Sequence, residues 1–177
     1  GHQTEVSVGR IGEILEGEFR PGFFAGVATV VTKLLLQAQP DIAFFGEKDY
    51  QQLVVIRRLA RDLDIPVEIA GVPTVRAPDG LALASRNAYL SDSGRAIAPA
   101  LYRVLVAAAK NVAAGKKAKD EEARATAELK AAGFAPVDYV AVRDAESLEE
   151  ARDPRRARRV LAAAWLGQTR LIDNVAA

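Results

Sequence analysis

Residues 41–53 read DIAFFGEKDYQQL, and this stretch decides the fold class. Residues 41–45 form a short apolar run followed by a glycine, which is typical of a buried strand. Residues 46–49 combine that glycine with charged side chains and predict a tight turn. Residues 50–63 predict a helix, because apolar side chains recur there at helical spacing. The candidate core positions of this helix are Leu53, Val54, Ile56 and Leu63.

The flanking segments extend this pattern on both sides. Residues 24–37 predict a helix that Pro40 ends. Its apolar side chains at helical spacing are Val27, Val30, Val31, Leu34 and Leu35. Pro66 opens a second short strand at residues 67–70. Helices that alternate with strands through short connections predict parallel βα units.

Beyond Gly71 the pattern changes. Pro78-Asp79-Gly80 is a turn signature, so residues 75–85 predict a hairpin or a connector. One helix is predicted to begin at the capping residues 91–93 and to end at residue 114. Pro99 lies inside it and predicts a kink or a short first helix. A second helix is predicted over residues 120–132. Strands are predicted at residues 137–142, 159–166 and 169–172, the last two joined by Gly167-Gln168. This half is therefore α+β, and we place the domain boundary near residues 74–75.

Composition excludes several classes of site and partner. Half of the residues are apolar, 27% are charged and the net charge is +1, so no overall field attracts nucleic acid or an anionic membrane. No run approaches the ~18 apolar residues of a membrane span, and residues 1–10 are too polar for a signal peptide. The chain has no cysteine, which excludes disulfides and thiolate catalysis.

The first residues suggest an excised segment. The chain contains no methionine, so Gly1 is not expected to be a native start, and Gly1-His2 is expected to be the remnant of a removed tag. Redesign or chance would also explain a chain without methionine. His2 is the only histidine, so no Ser-His catalytic pair is expected.

The charged turn at Gly46, Glu47, Lys48 and Asp49 is the first candidate site. It follows a strand and precedes a helix, where open α/β sheets bind ligands. Backbone amides at the helix start and the Lys48 ammonium could hold a phosphate, with Gln52 projecting from the first helical turn. The alternative is a solvated turn whose acidic residues only favour the helix N-terminus.

Residues 81–87, LALASRN, form the second candidate site. The hydroxyl of Ser85 and the guanidinium of Arg86 suit phosphate oxygens. The alternative is a surface hairpin in which Arg86 pairs with a nearby carboxylate.

Two further features have simpler interpretations. Residues 152–159 contain five arginines, which would suit nucleic acid. The segment lacks aromatic residues and follows Glu146, Glu149 and Glu150, which favours a solvated loop with local ion pairs. Trp165 lies in an alternating strand and is expected in the core.

Several separated motifs resemble those of the pantoate–β-alanine ligases. The run FFGEKDYQQL at residues 44–53 closely resembles a signature of this family. Further motifs stand in family order and extend the resemblance over nearly the whole chain: LEG at 15–17, RPG at 20–22 with Phe24, GVP at 71–73, DGLAL at 79–83, SRN at 85–87, YL at 89–90, AAWLG at 163–167 and TRLIDN at 169–174.

The resemblance implies a fold and a reaction. The fold is α/β: part of a Rossmann-like nucleotidyltransferase domain with parallel βα units at residues 1–74, then a small α+β lid domain with antiparallel strands at residues 75–177. With ATP and Mg²⁺, the pantoate carboxylate attacks the α-phosphate to give pantoyl adenylate and pyrophosphate. The β-alanine amine then displaces AMP. The resemblance further implies a cytoplasmic homodimer that binds neither nucleic acid nor a membrane.

The resemblance also assigns roles to residues. Gln52 is similar to a glutamine that holds pantoate, and Val75 to a nucleotide contact. Lys48 and Arg86 would be catalytic because they stabilise charge on the pentacovalent phosphate. No residue is assigned to a metal. The ATP contacts would be Gly46, Glu47, Lys48, Asp49, Val75, Leu83, Ala84, Ser85 and Arg86.

Three departures from the family bear on activity. Ala84 stands where the family commonly has serine, and Phe23 where many members have histidine. The family's N-terminal strand, its histidine-bearing ATP motif and a glutamine that contacts both substrates have no counterpart here. These residues alone are therefore expected to be inactive or nearly so. Two alternatives to the ligase are a non-catalytic module for folding or self-association and a nucleic-acid-binding segment at residues 155–159.

Overall fold

The computed structural model describes residue 1 and residues 3–177, so the interpretation of His2 lies outside the described residues. The chain divides into two compact units, Gly1–Pro73 and Thr74–Ala177, which we call the N-terminal and C-terminal units.

The N-terminal unit contains helices α1 (Glu16–Phe19), α2 (Phe23–Ala38) and α3 (Tyr50–Asp62) and strands β1 (Ile42–Gly46) and β2 (Glu68–Val72). Turns of 3₁₀ helix lie at Arg10–Gly12 and Glu47–Asp49. The two strands pair in parallel from Ile42 opposite Glu68 to Gly46 opposite Val72. The prediction of parallel βα units is therefore confirmed.

Burial on the two helices differs in part from the predicted pattern. Leu53, Val54 and Ile56 of α3 are buried, but Leu63 follows the last residue of the helix and is 48% exposed, so its prediction as core is wrong. In α2 the buried positions are Phe24, Ala28, Thr32 and Leu35, whereas Val30 and Leu34 are about half exposed. This helix is apolar on most of its circumference, so the spacing of apolar residues alone does not determine which of its faces packs against the rest of the unit.

Strand β1 is covered on only one face. Ala43 and Ile69 pack against the α2 and α3 side chains Ala28, Leu35 and Leu59. The opposite face carries Phe44, which is 70% exposed. The prediction of a buried strand is therefore wrong for this face, because successive strand residues point to opposite sides of the sheet.

The side chain of Gln51 fastens the segment before α2 to α3. Gln51 is buried, and its Oε1 accepts a hydrogen bond from the Glu16 N–H at 3.0 Å. Its Nε2 donates to the carbonyl oxygens of Ile11 and Ile14 at 2.8 and 2.7 Å. One amide side chain thereby pairs three backbone groups.

The C-terminal unit packs helices against a three-stranded antiparallel sheet. Its helices are α4 (Asp92–Ile97), α5 (Ala100–Ala113) and α6 (Ala118–Ala131), and a 3₁₀ turn lies at Ser85–Tyr89. Strands β3 (Val137–Asp144), β4 (Arg158–Leu166) and β5 (Thr169–Ala176) stand in the order β3-β4-β5. Pro99 precedes α5, which confirms a short first helix. The α/β class with a second, antiparallel α+β part is thus as predicted.

Helix α5 forms the centre of the C-terminal core. Leu101, Val104, Leu105, Ala108 and Val112 are buried there with side chains of α6 and the sheet. The stretch Asp92–Ala113, which spans α4 and α5, would pass as a membrane span by length and apolar composition alone, which the sequence analysis did not predict. Of its most apolar window, 44% is buried in the folded chain. The apolar side chains on the inner face of α5 therefore belong to the core.

Trp165 lies at the edge of this core. It is only partly buried, and its Nε1 donates to the Asp138 carboxylate at 3.1 and 3.2 Å. Arg170 Nε donates to the same carboxylate at 2.7 Å. The prediction of a core tryptophan is therefore right only in part, because the indole N–H requires a polar partner.

Candidate functional site

The first predicted group lies where β1 ends. Gly46 is extended and exposed, Glu47–Asp49 forms a 3₁₀ turn, and α3 begins at Tyr50. No atom lies within 4 Å of the position that a Cβ of Gly46 would occupy, so the space beside the turn is open. Parallel strands present ligand sites at this end, and the first N–H groups of a helix favour anions.

The charged side chains of this turn differ in exposure and make no cap for the helix that follows. Asp49 occupies the N-cap of α3, but its side chain makes no cap hydrogen bond. Glu47 and Lys48 are half-buried, whereas Asp49 is exposed. The exposed Asp49 carboxylate is therefore available to solvent or ligand.

The adjacent glutamines Gln51 and Gln52 have different environments. Gln51 is buried and occupied with backbone groups, whereas Gln52 is half-buried. Within the part of the chain that the structure describes, the Gln52 amide has no side-chain hydrogen bond. Successive helical residues point about 100° apart, so the two amides face different surroundings. Gln52, the predicted pantoate contact, is the one left available.

Gly71 allows the charged turn to approach β2, and sequence reasoning did not assign it this role. A Cβ at Gly71 would lie 3.1 Å from Glu47 Oε1, 3.2 Å from Leu53 Cδ2 and 3.3 Å from Arg57 Nη2. The only sequence signal was its place in the GVP motif. Its missing side chain makes room for the turn and α3 beside the strand.

The second predicted group is carried by a hairpin. Ala77 and Gly80 close its turn through a 2.9 Å hydrogen bond, and Arg76 pairs with Ala82 in an antiparallel bridge. The Leu83 N–H donates to the Val75 carbonyl at 2.9 Å. Two predicted ATP contacts, Val75 and Leu83, thus meet at the open end of the hairpin, where they are 65% and 54% exposed.

The segment after the hairpin presents Ser85 and Arg86 to solvent. Ala84 is extended, and Ser85 begins the 3₁₀ turn. Asn87 Nδ2 donates to the Ala82 carbonyl at 2.9 Å and ties this turn to the hairpin. Among the described residues Arg86 forms no ion pair, so the alternative of a carboxylate partner is not realised.

The predicted residues thus form two groups. Gly46, Glu47, Lys48, Asp49 and Gln52 lie together in the N-terminal unit. The C-terminal unit brings together Val75, Leu83, Ala84, Ser85 and Arg86. Two of the three departures from the family pattern are single residues. Ala84 offers only a methyl group, and the Phe23 ring lies 3.5 Å from the Arg20 guanidinium.

The arginine-rich loop forms local ion pairs, as its simpler interpretation predicted. Arg156 bonds Asp144 at 2.6 Å and Glu146 at 3.2 Å, and further pairs join Arg152 to Glu150 and Arg155 to Asp153. Burial opposes ionisation of Asp144. The N–H and hydroxyl of Ser147, the Glu146 N–H and Arg156 outweigh it and lower the pKa of the carboxyl. The loop's positive charge is therefore largely compensated.

Among the described residues, no three His, Asp or Glu side chains lie close enough together to hold a metal ion by themselves. Mg²⁺ commonly binds through substrate phosphates, water and one or two carboxylates. The exposed Asp49 carboxylate at the charged turn fits that donor set.

Comparison with known proteins identifies the family. The sequence profile described as Pantoate-beta-alanine ligase matches residues 2–176. The pantothenate synthetases of Paramagnetospirillum magneticum and Caulobacter vibrioides are 61% and 59% identical over 99% of the chain, which covers 62% and 63% of their lengths.

Solved structures agree with this result. Pantothenate synthetase from Thermus thermophilus matches 99% of the chain with a TM-score of 0.92 at 46% identity, and the chain covers 64% of it. The pantoate-β-alanine ligase from Francisella tularensis, complexed with beta-gamma ATP and β-alanine, matches with a TM-score of 0.76 at 32% identity. This match covers 99% of the present chain and 59% of the Francisella chain. The chain thus spans less than two thirds of each of these relatives. With nearly every residue matched by the family profile, the chain belongs to the pantoate–β-alanine ligase family.

Proposed function

We propose that this chain supplies part of the active site of an ATP-dependent ligase that joins pantoate to β-alanine. The proposal rests on family membership together with two solvent-accessible groups of polar residues. These are the turn Gly46–Asp49 and the segment Leu83–Arg86, whose sequences resemble the family's ATP motifs. The complex of the Francisella tularensis relative with beta-gamma ATP and β-alanine supports the same ligands for this chain.

In the first step, a pantoate carboxylate oxygen attacks the α-phosphorus of ATP. The bond between this phosphorus and the bridging oxygen breaks, and pyrophosphate leaves. The α3 N-terminus and Lys48 bind phosphate oxygens, and Arg86 stabilises the negative charge that grows on the pentacovalent phosphate. Gln52 orients pantoate through its free amide. Bound Mg²⁺ would neutralise phosphate charge, with Asp49 suited to hold it directly or through water.

In the second step, the β-alanine amine attacks the acyl carbon of pantoyl adenylate. The acyl C–O bond breaks, AMP leaves with the electron pair, and the nitrogen loses a proton. Adenylation has already provided a good leaving group, so this step requires little from the two groups described here.

The test uses a full-length enzyme that contains these residues. Lys48→Ala and Arg86→Ala are expected to slow pantoate-dependent pyrophosphate release by about 100-fold, the usual loss for one transition-state donor. Gln52→Ala is expected mainly to raise the KM for pantoate. Exposed residues of the same types serve as controls: Lys33→Ala, Arg103→Ala and Gln37→Ala. Each control should keep its rate of pyrophosphate release and its KM for pantoate within twofold of wild type.

The outcome separates two functions. Wild-type kinetics in all three site variants would overturn the residue assignments. The 177 residues alone are predicted to form essentially no AMP, and turnover at a normal rate would contradict that prediction. A non-catalytic module for self-association, the second candidate, is favoured by the exposed β1 face around Phe44 and predicts no AMP from the complete protein either.

We further propose a cytoplasmic homodimer that binds neither nucleic acid nor a membrane. The apolar face of β1 and β2 supports self-association, because such faces are seldom left uncovered. Sedimentation equilibrium of the complete enzyme tests the dimer. A monomer at micromolar concentration would contradict it.

A further inference from the structure

Arg76 joins three separate elements of the C-terminal unit. Its Nη1 and Nη2 donate to the two carboxylate oxygens of Asp173 on β5, at 2.6 and 2.9 Å. The guanidinium lies 3.7 Å from the ring centroid of Tyr102 on α5. Nη1 also donates to the Gly80 carbonyl in the hairpin turn at 3.1 Å. The Asp173 side chain is only 3% exposed and that of Arg76 18%, so water competes weakly for these contacts.

The hairpin packs closely on the same aromatic ring. Gly80 has a φ of +93°, and a Cβ there would lie 2.7 Å from Tyr102 Cδ1. The hairpin turn therefore rests directly on the ring, with the Arg76 guanidinium also against it. Arg76 and Ala82 pair across the two arms, so a contact that fixes Arg76 also fixes the arm leading to Leu83.

We infer that Arg76, held by Asp173 and Tyr102, is a positioning residue for the phosphate-contacting segment Leu83–Arg86. This inference rests on the proposed function. Only two residues separate Ala82 from Ser85, so a hairpin that shifts carries Ser85 and Arg86 with it. A displacement of about 1 Å in catalytic groups can cost 10²-fold in rate. Arg76 itself is given no contact with substrate.

A second buried ion pair in the same unit provides a matched control. Arg170 Nε lies 2.7 Å from Asp138 Oδ2, with side chains 15% and 8% exposed. This pair links β5 to β3, and the Asp138 carboxylate also accepts from Trp165 on β4. Removing either arginine leaves a buried carboxylate without that partner, so both variants lose stability. Only the Arg76 variant should also raise the KM for ATP and slow adenylate formation.

The experiment compares Arg76→Met with Arg170→Met in the complete enzyme. For Arg76→Met we expect the KM for ATP to rise and kcat for adenylate formation to fall, together by about 10- to 100-fold in kcat/KM. The KM for pantoate should stay within twofold. Arg170→Met should lower the Tm by a similar amount and leave both KM values within twofold. Arg76→Lys, which keeps the charge but not the paired contact, should recover part of the loss.

Each other result has a definite meaning. A folded Arg76→Met enzyme with unchanged ATP kinetics would overturn the inference, as would equal ATP defects in the two methionine variants. If Arg76→Met does not fold, Tyr102→Leu removes the supporting ring without stranding a charge, and it should still raise the KM for ATP severalfold. If the wild-type enzyme makes no AMP, or if Arg86→Ala does not slow adenylate formation, the proposed function itself is refuted.

Discussion

Among single residues, Gln51 and Gln52 show how one helical step separates structural from functional chemistry. Both are amides in the first turn of α3, yet only Gln51 lies against backbone groups of residues 11–16. The sequence predicted a role for Gln52 through the family pattern. It did not predict the role of Gln51, because the partners lie 35 to 40 residues earlier in the chain. A local pattern carries no information about such contacts.

Gln51→Ala should destabilise the protein by about 2–4 kcal/mol, since it leaves one N–H and two carbonyl groups without their partner. Urea denaturation followed by circular dichroism measures the change in the free energy of unfolding. Gln52→Ala, at the neighbouring position, is the control and should cost less than about 0.5 kcal/mol. Equal losses in the two variants would show that the buried hydrogen bonds of Gln51 add little.

Among the elements, the hairpin at residues 75–83 depends on a glycine that tolerates no side chain. Gly80 and Gly115 both adopt left-handed backbone, with φ of +93° and +90°. A Cβ at Gly115 would meet nothing within 4 Å, whereas one at Gly80 would clash with the Tyr102 ring. The two positions therefore separate backbone strain from a steric clash.

Gly115→Ala should cost about 1–2 kcal/mol, the cost of left-handed backbone for a residue with a Cβ. Gly80→Ala should cost about 2–4 kcal/mol, because the new methyl group must also displace Tyr102. Thermal unfolding of the two variants beside wild type gives the comparison. A Gly80→Ala variant no less stable than Gly115→Ala would show that the hairpin can move off the ring without loss.

The predicted type of each element was correct, and the ends and faces were less well predicted. Strand β5 extends to Ala176, four residues beyond the prediction, because Asp173 and Asn174 interrupt its apolar pattern. Asp173 is nevertheless buried, since Arg76, 97 residues earlier in the chain, provides its charge partner. The covered face of β1 was not predictable either, because it depends on which elements lie beside the sheet.

At the scale of the whole molecule, the two units differ in how completely they cover their apolar side chains. The C-terminal unit encloses a core built by α5, α6 and all three antiparallel strands. The N-terminal unit leaves Ile42, Phe44 and Val72 exposed on one face of its sheet. Core burial is the main favourable contribution to folding, so the C-terminal unit is the better equipped to fold alone.

Residues 74–177 expressed separately should therefore fold cooperatively. We expect dispersed amide signals in NMR and a single thermal transition by circular dichroism. Residues 1–73 alone should bind an apolar dye such as ANS through the exposed sheet face. A disordered 74–177 segment would show that its core requires the N-terminal unit.

The hydrogen bond between Trp165 and Asp138 has a practical consequence for following these transitions. Trp165 is the only tryptophan of the chain, and it lies in the C-terminal unit. Selectively excited intrinsic fluorescence therefore reports the state of that unit alone, with the emission maximum set by a half-buried indole bound to a carboxylate. A fluorescence curve that departs from the far-ultraviolet curve would reveal the two units unfolding at different denaturant concentrations.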